Sequence, residues 1–156
     1  MPLKRRKNLP EYKSLKEKIR AEGKEREAFR ESLAHALMRA RQAGREAATK
    51  CKPTPMLVGG TTVQYIEDAG PCGFAWVNVS PRNCRTANAL KKFNALGGRP
   101  EWDSSSYDKA MQLWVSGYGQ SVERKTAYAE AYSAVLGAWA KENDEKARVW
   151  AGSRLD

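Results

Sequence analysis

Cys72-Gly-Phe-Ala-Trp-Val-Asn-Val-Ser-Pro81 alternates without a slip. Ala75, Val77 and Val79 fall on one side of such a run, and Phe74, Trp76 and Asn78 on the other. A Pro-Cys-Gly turn precedes it and Ser-Pro ends it, so the pattern predicts a central buried strand. Its small, β-branched side admits a helix at close approach. Its aromatic and amide side is a second surface, and what covers or uses that surface is the functional question.

Downstream, 80–96 reads as a helix with Ala89, Leu90, Phe93 and Leu96 on one side and a Gly97-Gly98 exit. The next stretch, 99–108, fits either a weak strand or a loop. Lys109–Ser116 alternates again, setting Met111, Leu113 and Val115 against Gln112, Trp114 and Ser116. After Gly117-Tyr-Gly-Gln, Ser121 is the expected N-cap of a helix with one apolar stripe from Val122 to Trp139. Lys146–Gly152 closes the chain's pattern as a strand, with Arg148 and Trp150 opposed to Ala147, Val149 and Ala151. Upstream, 56–66 reads as a hairpin, with Gly59-Gly60 as a two-residue turn.

The resulting order, β-β-β-α-(β)-β-α-β, is an α+β pattern. Its two strand-helix-strand crossovers predict a ferredoxin-like, split βαβ sheet with two helices on one face. In that arrangement Trp76, Trp114 and Trp150, one from each of three strands, share the opposite face with Arg148. Aromatic rings among amides and an Arg suit single-stranded nucleic acid, because every base has a face to stack and an edge to hydrogen-bond. The competing reading is a second core layer, with the N-terminal helix or the 56–66 hairpin covering the tryptophans.

The first third of the chain differs in kind. Tyr12, Leu15, Ile19, Glu22, Arg26, Phe29, Leu33 and Ala36 keep a step of three and four, so residues 1–52 predict a long helical arm, with two helices or a hinge near Gly23. Pro53 and Pro55 end it, and 53–156 is the expected α+β domain. Residues 1–50 carry 15 Lys/Arg against 7 Glu, net +8 of the chain's +10. A basic arm on a nearly neutral domain favours a nucleic-acid partner or an acidic protein surface. Contacts are expected at Lys4, Arg5, Arg6 and Lys7, and on the sheet at Trp76, Trp114, Arg148 and Trp150. The arm's seam also suits a homo-oligomer.

Other classes find less support. No stretch reaches the roughly 20 apolar residues of a membrane span, and the cationic start lacks the apolar core of a secretory signal, so no membrane partner and a cytoplasmic setting are expected. Cys51, Cys72 and Cys84, odd in number and without a close pair, make neither a disulfide framework nor, with the lone His35, a zinc set. The 117–125 loop could hold an anion through Ser121, Arg124 and Lys125, yet it matches no nucleotide fingerprint. Glu101, Asp103 and Asp108 could serve as a metal site or an acid/base pair, but acidic and Ser residues are ordinary in loops. No catalytic constellation emerges, so an enzyme is the weaker expectation and no cofactor is implied.

Pro71-Cys-Gly-Phe-Ala-Trp-Val77, the Gly-Gln-Ser121 helix entry with Arg124-Lys125, and the closing Ser153-Arg-Leu-Asp156 resemble a family of small proteins encoded by tailed bacteriophages. The likeness spans 71–156. It implies a phage origin and a host-cytoplasm setting, and no catalytic residue. Together these readings predict a small binding protein for nucleic acid or a host nucleic-acid machine. A virion or assembly component and a nucleotide-binding enzyme are the alternatives.

Overall fold

The computed structural model describes residues 10–94 and 101–156. The basic tetrad Lys4–Lys7 and the expected Gly97-Gly98 helix exit with Leu96 lie outside them. The element order is α1 (Pro10–Lys50), β1 (Met56–Gly59), β2 (Gln64–Glu67), β3 (Gly73–Ser80), α2 (Arg85–Asn94), β4 (Asp103–Ser105), β5 (Ala110–Trp114), α3 (Val122–Asn143) and β6 (Arg148–Leu155). The chain is thus α+β, with three helices and two antiparallel sheets among the described residues. It divides into two compact units, Met1–Ala34 and His35–Asp156.

In the first unit the described residues are helical throughout, and α1 runs unbroken past Gly23. A mid-helix glycine costs only about 1 kcal/mol relative to alanine, too little to stop a helix with good formers on both sides. Arg26 also spans the site, donating from Nε to the Glu22 carbonyl at 3.2 Å with a carboxylate contact at 3.8 Å. Tyr12, Leu15 and Ile19 recur at helical spacing and are exposed.

The second unit contains the four-stranded sheet, ordered β4-β5-β3-β6, with every neighbouring pair antiparallel. The 72–81 stretch is central, as its two-sided burial requires. Ala75, Val77 and Val79 are fully buried. In register Val77 lies between Leu113 and Ala151, and Val79 between Met111 and Val149, so one apolar face continues across three strands. Helix α3 packs on β3 and β6, and α2 meets β3 and β5. Of the helical stripe read from the sequence, Val122, Tyr132, Leu136 and Trp139 are buried, Tyr128, Ala131 and Val135 are half-buried, and Ala129 joins the buried side. The last turns of α1 bury Ala36, Leu37, Ala40 and Ala48. Gly44 lies flat against the Tyr128 ring of α3, where a methyl would sit 2.9 Å from two ring carbons.

Two side-chain junctions fix the helices. Ser121 is the N-cap of α3 and accepts from the Arg124 amide at 3.4 Å. At the other end Asp144, the buried C-cap residue, accepts from the Thr86 amide and the Thr86 hydroxyl, both at 2.7 Å. One carboxylate therefore caps the start of α2 from the end of α3, where the helix dipole favours negative charge.

β1 and β2 form a separate ribbon, paired Met56 to Glu67 through Gly59 to Gln64. The turn is not the expected Gly59-Gly60 pair. Gly59 is the last paired residue of β1 at φ 129°, and a Cβ there would strike the Val63 carbonyl, so the chain reverses through four residues, 60–63. Leu57 and Ile66 face each other across this ribbon and are exposed.

Candidate functional site

Period-two alternation and the observed register put one set of side chains on the sheet face opposite the Val77 and Val79 side. Trp76 pairs with Trp114 and with Gly152, Asn78 with Gln112 and Trp150, Ser80 with Arg148, and Phe74 with Arg154. Cross-strand partners share a face, so Phe74, Trp76, Trp114, Trp150, Arg148 and Arg154 form one surface. It is open: Trp114 is 43% and Trp150 39% exposed.

Asn78 organises the rings. It is buried at the centre of the aromatic face. With its amide oxygen turned to the indoles it accepts from Trp76 Nε1 at 3.1 Å and from Trp150 Nε1 at 3.0 Å. The opposite orientation would set its NH2 against those two N–H groups, while the one that suits the indoles turns the NH2 toward Gln112 Nε2, 2.8 Å away and itself a donor to Asp108. Trp76 lies over the backbone of Gly152, where a Cβ would stand 2.6 Å from its Nε1. Its ring centroid is 5.0 Å from that of Trp114, tilted 35°, and Phe74 meets Trp114 edge-on at 6.0 Å. The Arg154 guanidinium stands 5.4 Å from the Phe74 ring centre, a cation–π distance. Arg148 is exposed and donates to the Glu145 carbonyl at 2.8 Å. Trp76 and Trp150 are thus held by their N–H groups, Trp76 also by backbone and Trp114 by its ring neighbours, while ring surface stays accessible at Trp114 and Trp150.

A cavity of about 650 Å³ adjoins this face at the end of β5, lined by Trp114, Asp103, Tyr128 and, from α1, Arg41 and Arg45. Arg41 is ion-paired to Glu101, also in the wall. Burial pushes the Tyr128 phenol up from its ordinary value, with Tyr118 adding to the rise and Arg41 and Arg45 opposing it.

The 117–125 loop is differently disposed. Gly117, Tyr118 and Gly119 all have positive φ, at 91°, 59° and 58°, so the glycines serve the turn. The Val122 amide is taken by the Pro71 carbonyl and the Arg124 amide by Ser121 Oγ. Lys125 is buried, its ammonium donating to the Gly73 carbonyl at 3.0 Å and standing 5.5 Å from the Phe74 ring centre. Ser121 and Lys125 are therefore occupied in joining α3 to β3, and of the three expected anion ligands only Arg124 is exposed.

Among the described residues no group of three or more His, Cys, Asp and Glu is placed to hold a metal ion, and no helix is long and apolar enough to cross a membrane. Glu101 and Asp103 line the cavity together, while Asp108 is drawn away to accept from Gln112 Nε2 at 2.5 Å. His35 is exposed on α1. The structure brings Trp76, Trp114, Trp150 and Arg148 together on one face. Asp103, read from the sequence as a candidate metal or acid/base carboxylate, joins that neighbourhood, as do Arg154 and Arg45, which the sequence does not single out. For Arg154 the signal is present in the sequence, since 148, 150, 152 and 154 are in phase, but a glycine at 152 reads as the end of the strand. No family model, curated protein or solved structure matches the chain.

Proposed function

We propose that this chain is a small nucleic-acid-binding protein whose open sheet face stacks the bases of a single strand, with the basic arm supplying phosphate contacts. The sheet is read as a split βαβ, ferredoxin-like arrangement. What supports that reading is the strand order β4-β5-β3-β6, with β3 central and antiparallel to both neighbours. The observation that carries the function is the trio Trp76, Trp114 and Trp150 on one face, with Trp76 and Trp150 oriented through Asn78, Trp114 set against Trp76, and Arg148 and Arg154 flanking them.

Three tryptophans left accessible on one face make an apolar patch that a monomer ordinarily covers, and its flanking cations match a polyanion better than an apolar protein surface. Trp76 and Trp150, whose N–H groups are satisfied by Asn78, present their rings without a competing polar demand. A net charge of +10 adds non-specific affinity through counterion release. A phage origin, as the 71–156 resemblance implies, would place such a protein in the host cytoplasm.

Titration with short oligothymidylate while following tryptophan emission tests this reading. Quenching is expected, with affinity falling as salt rises. Trp114→Ala is expected to weaken binding by about 1–3 kcal/mol. Its folding stability should change little, because nearly half of the ring is already in water. Unchanged emission at saturating oligonucleotide, or a Trp114→Ala protein that binds as well as its parent, would overturn the proposal.

A further inference from the structure

We infer that the cavity at the end of β5 is a base-selective position of this surface and that it prefers guanine; the inference rests on the single-strand reading above. Trp114 belongs to both places, being a member of the aromatic face and of the cavity wall. Its neighbours Trp76 and Phe74 are both on β3, and β4 lies on the other side of β5. A base stacked against Trp114 away from Trp76 therefore projects toward β4.

What it meets there is Asp103. Asp103 pairs with Gln112, two residues before Trp114 on the same face, so Asp103 and Trp114 are diagonal neighbours, a separation of about 7–8 Å in such pairs. The Asp103 side chain is exposed and has no hydrogen bond or ion pair among the described residues. A carboxylate only accepts, and it has two oxygens. Guanine alone among the bases presents two adjacent donors, N1–H and the N2 amino group, to a bidentate carboxylate. Adenine and cytosine set a ring acceptor beside their amino group, and thymine sets carbonyls on both sides of its single N–H, so each would place a lone pair against Asp103. Behind the base, Arg41 is held by Glu101, while Arg45 has no carboxylate partner among the described residues and is left for the phosphate.

The experiment compares short thymidine strands that carry guanosine, adenosine, cytidine, thymidine or inosine at one central position. The guanosine strand is expected to bind about tenfold more tightly than the all-thymidine strand, in the range of one bidentate base contact. Inosine, which lacks the amino group, is expected to lose most of that gain. Asp103→Asn is expected to abolish the preference by removing the bidentate acceptor for guanine and the repulsion of thymine together, so that the guanosine and all-thymidine strands bind within about twofold of each other. Arg45→Ala is expected to weaken all five strands alike and to reduce the salt slope by about 0.7, the loss of one phosphate contact to a single strand. Equal affinity for the five strands, or a guanosine preference that survives Asp103→Asn, overturns the guanine site and leaves the platform standing. Failure of every strand to quench the tryptophans would instead remove the platform, and this site with it.

Discussion

A methyl group added at position 152 would stand 2.6–2.9 Å from three atoms of the Trp76 indole. The ring would have to lift from β6, and its N–H would leave the Asn78 oxygen that now holds it at 3.1 Å. Gly152→Ala is therefore expected to destabilise the fold by about 1–3 kcal/mol, the usual cost of overpacking, measured by urea unfolding. It should also loosen the tryptophan face. An unchanged midpoint would mean that Trp76 does not rest on that backbone. Position 152 also marks where the sequence became opaque. A glycine in a strand pattern reads as an ending, whereas here it is the space that a neighbouring indole fills, and the strand continues through Arg154 to Leu155. Arg45 is hidden for a different reason: it is unremarkable in its own element, and only the approach of α1 to Tyr128 brings it near Trp114; Asp103 is legible as a loop carboxylate, but only the register of β4 on β5 sets it beside the aromatic face.

Between elements, the tie that joins the end of α3 to the start of α2 is a single carboxylate. Asp144→Ala removes the acceptor of both the Thr86 amide and the Thr86 hydroxyl in a buried place. A loss of about 1–3 kcal/mol is expected for the donors left unsatisfied. Oligonucleotide affinity of the folded fraction should be unaffected, because Asp144 is on neither the aromatic face nor the cavity wall. Equal stability of the variant would show that Thr86 finds another partner at no cost. The elements themselves were legible in proportion to their length. β3, α3 and the alternation of β5 stood out because eight, twenty-two and five residues carry a period. β4 has three residues, too few for any period, so its stretch fits strand and loop equally from the sequence. The hinge expected near Gly23 rests on Glu22 and Arg26 interrupting the apolar seam beside a glycine, and the two-residue turn at Gly59 on glycine itself; glycine permits a break without demanding one, and an exposed helix needs no continuous seam.

For the molecule as a whole, the groups displaced from their ordinary titration all shift the same way. Burial raises the Cys84 thiol, against the Ala87 amide and with a further push from Asp144. Burial likewise raises the Tyr128 and Tyr132 phenols. Each folded group keeps its proton beyond the pH at which the unfolded chain, titrating near 9.0 for the thiol and 10.0 for the phenols, gives it up. Their contribution to stability is complete below those values and is lost as pH rises through the raised ones. The melting temperature is thus expected to fall with increasing alkalinity above about pH 9–10, the unfolded thiol and phenol range. A melting temperature constant to pH 11 would contradict it. The pairing of Trp76 with Trp114 has a consequence of another sort. Two strong chromophores with centroids 5.0 Å apart have transition dipoles that couple because they are close, and the 35° inclination of their planes makes the arrangement skewed, as rotational strength requires. Such a pair splits its absorption into two bands of opposite rotational strength. The far-ultraviolet circular dichroism of this protein therefore carries an exciton couplet superposed on the helix signal, an optical label that a strand sliding between the rings would erase.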